Sequence, residues 1–414
     1  LGGSMTVEID GANNIIKTNT INEVTSANGI TIDGLNIKDS KLVTANSVVE
    51  ANITNGAVTS GKIASGVVPT LRPNAKPLVV NSNMAIAQRN SGTVAQSDGS
   101  NEGYATVDRM NLVFGNSAGG TITTSRDNTA PTGFGQSMKF DVTSADGSVA
   151  SNQIVYMKTT LEAQDIRNSG WNYTSSSSYL TLSFWVRSSK TGIYCAFLET
   201  LDASYMRSSE YTISSADTWE QKVLTFPGKT ELVFNNDNGA GLNIGFTFAV
   251  GTDRDGTNNT WETTNYGTSN QVNFLDSTSN VLYLTGIQLE VGEFSSTNLP
   301  PFQHESYGDN LLRCQRYYQL VQNWSGGVVN SSTAYINATF WKTMRTTPSV
   351  TTTGALNGND IANNVNQSSG QVTLHGANEN GFWGGIGNFS SLTTNNPFNS
   401  RFQNTNKLAF SSEL

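Results

Sequence analysis

Cysteine, histidine and charge are all scarce in this chain. Its 414 residues hold two cysteines, Cys195 and Cys314, and two histidines, His304 and His375. Two cysteines make no disulfide framework and neither has a metal-ligand spacing, so both read as reduced, buried thiols of a protein that folds in a reducing cytoplasm. Two separated histidines leave no His-rich metal site, and HExxH, GxSxG and phosphate-loop patterns are missing. No catalytic residue, metal or cofactor is therefore expected, although glycan cleavage needs only paired carboxylates and stays open on composition. Charged residues make up 14% of the chain, and 24 Lys and Arg against 32 Asp and Glu leave a formal charge of −8. That balance lacks the basic surface that phosphate backbones require, so nucleic acid is not an expected partner. No apolar run approaches the roughly eighteen residues that span a bilayer, so no membrane insertion is expected. The opening LGGSMTVEI shows no secretion-signal pattern and no initiator methionine, so the natural N-terminus is expected to be trimmed or missing.

Aromatic residues are absent from residues 1–70, which argues against a self-sufficient globular core there. A repeat takes its place. Val43, Val48, Ile53, Val58, Ile63 and Val68 recur every five residues, and Gly56, Gly61 and Gly66 keep the same step. Five is neither a helical nor a strand period. It suits a chain winding about an axis with one β-branched side chain per step, and three copies together would bury a stripe that one ribbon leaves in water. A flexible Gly/Ala/Ser linker is the plainer alternative, but a linker needs no regular apolar position. Upstream, Asn28-Gly29 and Asp33-Gly34 break short strand candidates.

Three prolines in VVPTLRPNAKP mark a linker, after which the chain turns aromatic and strand-like. Leu180, Leu182, Phe184 and Val186 alternate with Ser183, Trp185 and Arg187. Leu242, Ile244, Phe246, Phe248 and Val250 alternate without a miss. Val281, Tyr283, Ile287, Leu289 and Val291 share one parity, against Gln288 and Glu290. Such strands, spaced by Gly/Asn/Ser turns, predict a two-sheet β-sandwich with Phe184, Phe246, Phe248, Ile287 and Leu289 in its core. Pro300-Pro301 stops the last strand. Ser306 followed by Asp309 then predicts a helix with the stripe Tyr307, Leu311, Cys314 and Tyr318. Beyond it, AYINATFW and GQVTLHG are strand candidates of a small β-sandwich. The expected architecture is all-β: a fibrous trimerisation shaft over 1–70, a sandwich over 71–305, a helical linker over 306–320 and a C-terminal domain over 321–414.

The run GIQLEVGEFSSTNLPPFQHESYGDNLLRCQRYYQ resembles a junction in tail-fibre and other virion structural proteins of bacteriophages, many of them marine, where it follows a jelly-roll-like domain. GYATVDRM and WKTMRTTPSVTTTG resemble segments that open the jelly roll and the C-terminal β-domain in that group, with Met110 where an aromatic is usual. The order from TLSFWVRSS to LYLTGIQLEVG resembles jelly rolls related to carbohydrate-binding modules. The resemblance implies a virion fibre, assembled in the host cytoplasm and joined to other virion proteins through its N-terminal region. It further implies attachment to a host-surface glycan. A head-fibre or decoration protein and a glycan depolymerase are the other readings.

Aromatic residues are the candidate contacts. Trp185 and Arg187, with Trp171 and Tyr173 just before them, would form a platform for a sugar ring; the alternative is packing against a neighbouring subunit or domain. In the C-terminal domain the candidates are Trp341, Phe382 and Trp383, the last two within GFWGGIGNF, read equally as a bulged strand or a distal contact loop. Loop 253–262 is oxygen-rich around Asp253 and Asp255 but lacks the glycine and glutamate of a calcium loop, so a solvated turn is expected over a bound cation. The five-residue stripe carries one prediction of its own, a parallel homotrimer. Replacing both Val58 and Ile63 with Asp would desolvate two carboxylates per chain in its interior and abolish the shaft. Sedimentation of both forms is the check; a monomeric wild type, or a stable Asp-bearing trimer, would refute the shaft.

Overall fold

In the computed structural model the chain divides into two compact units, Leu1–Val68 and Pro69–Leu414. The described residues are 76–354, 356–361, 365–400 and 407–414, together with short strands in the first unit. There, β1 (Glu8–Asp10) pairs antiparallel with β2 (Ile15–Lys17). β3 (Ile30–Ile32), β4 (Leu35–Lys38) and β5 (Lys41–Leu42) form an antiparallel sheet with Ile32 opposite Leu35. The stripe from Val43 to Val68, and the trimer contact expected of it, lie outside the described residues.

The second unit opens with β6 (Thr93–Gln96), β7 (Asn111–Gly115), β8 (Thr121–Asp127), β9 (Ser137–Ser144) and β10 (Ile154–Glu162). A short helix α1 (Ala163–Arg167) follows, then β11 (Tyr179–Ser188), β12 (Gly192–Thr200), β13 (Tyr205–Ile213), β14 (Glu220–Pro227), β15 (Ala240–Val250) and β16 (Val281–Val291). One sheet has the order β13-β12-β15-β10-β7, the other β14-β11-β16-β9-β8-β6, both antiparallel. The chain passes back and forth between the sheets, as in a jelly roll. Leu180, Leu182, Phe184 and Val186 of β11 meet Leu242, Ile244, Phe246 and Phe248 of β15 in one core, all buried. Phe184 stands edge-on to Phe246 with ring centroids 4.8 Å apart. The other face of β15 is covered too: Phe197 lies over Gly245, where a Cβ would come within 2.0 Å of the ring.

The single parity expected for β16 fails at one residue. Leu282 and Leu284 face the core while Val281 and Tyr283 are only half-buried, yet Ile287 and Leu289 are buried again. A bulge reverses the faces. Ser183 pairs with Gln288 but Trp185 pairs with Thr285, and Gly286 between them has a φ of +65°. Glycine adopts that left-handed conformation without a Cβ clash.

Helix α2 (Tyr307–Cys314) begins at Ser306, whose Oγ accepts from the Asp309 amide at 3.1 Å. Of the expected stripe, Leu311, Cys314 and Tyr318 pack inward and only Tyr307 departs. Asn310 and Cys314 are buried, with Tyr317 just beyond, whereas Tyr307 is 62% exposed. Asn310 joins the inward face, its Oδ1 accepting the Asn81 amide at 3.1 Å.

The C-terminal part comprises β17 (Tyr318–Val321), β18 (Ser325–Asn330), β19 (Thr333–Thr339), β20 (Ser349–Thr352), β21 (Leu356–Asp360), β22 (Val365–Asn378), β23 (Gly381–Gly387), β24 (Pro397–Ser400) and β25 (Leu408–Ser411). It is not the expected sandwich. β18-β19-β23-β22-β21-β24 close into a barrel, beside a three-stranded sheet β17-β25-β20. Closure follows because β18 pairs with both β19 and β24, which removes the open edges a sandwich would leave.

A buried charged joint links barrel and sandwich. Arg109, 1% exposed, pairs with Glu413 and lies 3.6 Å from the Tyr317 ring centroid. Arg89 reaches the same carboxylate at 3.0 Å and lies over Tyr318. Glu162 accepts from Arg316 Nε at 2.6 Å and from the Tyr317 hydroxyl at 2.7 Å. Arg345 donates to the carbonyls of Asn238, Ser412 and Glu413. Burial opposes the Glu162 charge, but the Arg316 and Tyr317 hydrogen bonds outweigh it and hold the carboxyl below its ordinary 4.5. A lowered carboxylate contributes stability that is full above the unfolded value and is lost as pH falls through the folded one. Glu162→Gln should therefore cost about 2 kcal/mol at neutral pH, with the deficit shrinking below pH 4.5. Denaturant unfolding at both pH values measures it; a deficit that grows in acid would contradict the assignment.

Candidate functional site

The outer face of the barrel carries an aromatic cluster. In β19 and β23, Asn337 lies opposite Trp383 and Tyr335 opposite Gly385. Strand alternation sends Ala334, Ile336, Phe382 and Ile386 into the core and leaves Tyr335 and Trp383 43% and 50% exposed. On the other side of β23, Leu374 pairs with Gly384 but Gly376 with Trp383, so His375 sits on a bulge. That bulge brings the exposed imidazole over the indole. The His375 and Trp383 rings stack with centroids 5.0 Å apart and planes 14° apart. Tyr335 completes the group, 5.0 Å from His375 and 6.1 Å from Trp383. Two glycines make room for it. A Cβ on Gly376 would come 2.6 Å from Trp383 Nε1, and one on Gly385 would come 2.9 Å from His375 Nε2.

Beside Trp383 a groove of about 540 Å³ opens, with Asn337, Thr339, Asn378 and Asn380 among its walls. Asn378 Oδ1 accepts the amides of Asn380 and Gly381 at the β22–β23 turn, and Asn380 Oδ1 accepts from Thr343. A flat ring bordering amide-lined space is chemically matched to sugars: their C–H faces stack on the ring and their hydroxyls meet the amides.

The residues singled out in the sequence are dispersed. Trp341 is 69% exposed but does not line the groove; its amide donates to Gln319 Oε1 at 2.9 Å. Phe382 is among the residues lining the groove, but at 5% exposure its ring packs mainly in the barrel core against Phe340 and Phe410. Trp171 is a correction: it is 3% exposed, packed on Tyr173 and Phe234, with Nε1 donating to the Ser178 carbonyl. Tyr173 is half-buried beside it. Trp185 and Arg187 lie apart from that pair, both half-buried on β11. Trp185 packs against Gly286, and Arg187 donates to the Asp217 carbonyl at 2.8 Å and carboxylate at 3.3 Å. These four residues do not form one platform. Tyr335 and His375 were not singled out. Alternation marks Tyr335 as outward, but only the three-strand register brings it and His375 to Trp383.

Among the described residues no three metal-ligating side chains cluster. Asp253 accepts from Ser151 Oγ, and Glu262 accepts the Thr257 amide. Cys195 and Cys314 are free and buried; burial pushes the Cys195 thiol up to about 11, which leaves it unreactive. No described helix is long and apolar enough to cross a membrane.

No family model and no curated protein matches the chain. Among solved structures, the enzymatically active domain of tailspike protein 4 from bacteriophage CBA120 is similar at 14% identity and a TM-score of 0.24, over 49% of this chain and 21% of that one. A family 11 carbohydrate-binding module from Clostridium thermocellum, in complex with a mixed-linked tetrasaccharide, is 12% identical over 52% and 99%, with a TM-score of 0.26. The N-terminal cellulose-binding domain of Cellulomonas fimi β-1,4-glucanase C is 13% identical over 53% and 99%, with a TM-score of 0.24. The chain thus spans about a fifth of the tailspike domain's length. At such scores these likenesses carry neither a family nor a function to this chain.

The stacked geometry predicts an NMR signature. The His375 ring protons should resonate upfield under the Trp383 ring current, and should return to ordinary positions in both Trp383→Ala and Gly385→Val. Assignment is secured with His304→Gln. Resonances that stay in place in both variants would contradict the stack.

Proposed function

We propose that this chain is a virion fibre protein that attaches to host-cell glycans through the outer face of its C-terminal barrel. The observation that carries this reading is the exposed Tyr335–His375–Trp383 cluster beside an amide-lined groove. Preformed aromatic surface loses little entropy when a sugar stacks on it. Among the described residues the groove has no Asp or Glu in its walls, whereas glycoside cleavage needs a carboxylate pair, so binding is the proposed activity. The resemblance of the junction segments to phage fibre proteins supports virion placement, with residues 1–70 joining other virion proteins and holding three chains together. Three shallow sites on one fibre would compensate by avidity for weak single contacts.

Deleting residues 321–414 would not test this cleanly, because it also strips Glu413 from the buried Arg109 and so disturbs the sandwich. Trp383→Ala removes a half-exposed ring and leaves the core alone. It should lower the affinity for host glycan about tenfold per site, and adsorption to host cells more steeply. Glycan binding and cell adsorption are the measurements. Full binding by the Trp383→Ala, His375→Ala double variant would overturn the site, and oligosaccharide release from host capsule would overturn a purely binding role.

A further inference from the structure

A second recess lies on the sandwich and shares no wall residue with the barrel groove. β13 and β14 are the end strands of opposite sheets and run close along one side of the molecule. Loop 253–262 ties them together. Met206 and Glu262 exchange backbone hydrogen bonds at 2.7 and 2.8 Å, and the Asn259 amide donates to the Ser208 carbonyl at 2.9 Å. The Glu210 amide donates to Asn258 Oδ1 at 3.1 Å, and Trp261 Nε1 donates to the Pro227 carbonyl, at the end of β14, at 2.9 Å. The oxygen-rich loop thus covers the edge of β13.

Between these strands is a cleft of about 530 Å³, with Tyr179, Arg207, Ser209, Glu210, Asn259 and Glu293 in its walls. It shares Val223, Thr225 and Glu293 with a neighbouring recess of about 680 Å³ that reaches Phe294. Arg207 alone among the described arginines has neither a hydrogen bond nor an ion pair, and its Nε is buried without an acceptor. A buried Nε without an acceptor carries a desolvation cost, and a ligand would bring the acceptor it lacks. Two carboxylates share the cleft with this one cation, and Lys222 of the neighbouring recess is already paired with Glu220, so an acidic sugar meets net repulsion. Glu210 Oε1 is already held by Thr268 and Asn270, which fixes that carboxylate in place. A guanidinium donor, carboxylate acceptors and the hydroxyls of Tyr179 and Ser209 match adjacent sugar hydroxyls, each of which both donates and accepts.

We infer that this cleft is a second glycan site, that it takes a neutral sugar chain laid along the edge of β14, and that Arg207 anchors it. The site is independent of the barrel cluster, so the test uses full-length Trp383→Ala protein, where failure of the barrel reading has no effect. Calorimetry with neutral hexasaccharides of gluco, manno and galacto configuration should find one that binds, and an oligogalacturonate should bind more weakly. Arg207→Met should weaken that binding tenfold or more. It should also leave the melting temperature unchanged or raised, since no native hydrogen bond or ion pair is lost and Met keeps the aliphatic packing, whereas a structural arginine would lower it when replaced. Absence of binding by every neutral chain, preference for the uronate, unchanged affinity in Arg207→Met, or a lowered melting temperature would each overturn the inference.

Discussion

The buried joint between Arg109, Glu413, Tyr317 and Glu162 is the constraint on which the second unit depends. Its charges lie almost out of water: Arg109 and Glu162 are each 1% exposed. Such a network need not be more stable than an apolar one, but removing any member leaves a buried charge without its partner. It therefore tolerates one geometry and resists sliding. The junction run and the two segments that open the sandwich and the C-terminal domain all converge here. GYATVDRM supplies Arg109, CQRYY supplies Arg316, Tyr317 and Tyr318, and WKTMR supplies Arg345. What those motifs encode, in this chain, is the union of sandwich and barrel.

That union reaches the groove through one short segment. The Met344 amide donates to the Glu379 carbonyl at the β22–β23 turn, and the Arg345 amide donates to the Arg316 carbonyl beside the joint. The turn that borders the groove is thereby referenced to the sandwich through backbone hydrogen bonds.

Two bulges set where side chains point. At Gly286 the extra residue reverses the faces of β16, returning Ile287 and Leu289 to the core and leaving a bare Cα on which Phe134 and Trp185 pack. At His375 the same device turns an imidazole onto an indole. In both, one inserted residue redirects side chains without breaking the sheet.

Strand alternation and cap chemistry are local, and from them the sequence alone determined the all-β class, the core residues of β11 and β15, and the cap at Ser306. Those features depend on neighbours in the chain and on backbone chemistry. Tertiary structure decided the rest, because register, closure and bulges depend on partners far along the chain. No local pattern closes β18 onto β24, separates Phe382 in the core from Trp383 outside as parts of a barrel wall, or draws Trp171 under Phe234. Tyr335, His375 and Trp383 lie on three strands, and only their pairing makes them one surface. Arg207 is legible in the sequence as one arginine among several; its lack of an acceptor arises only where the edges of two sheets come together.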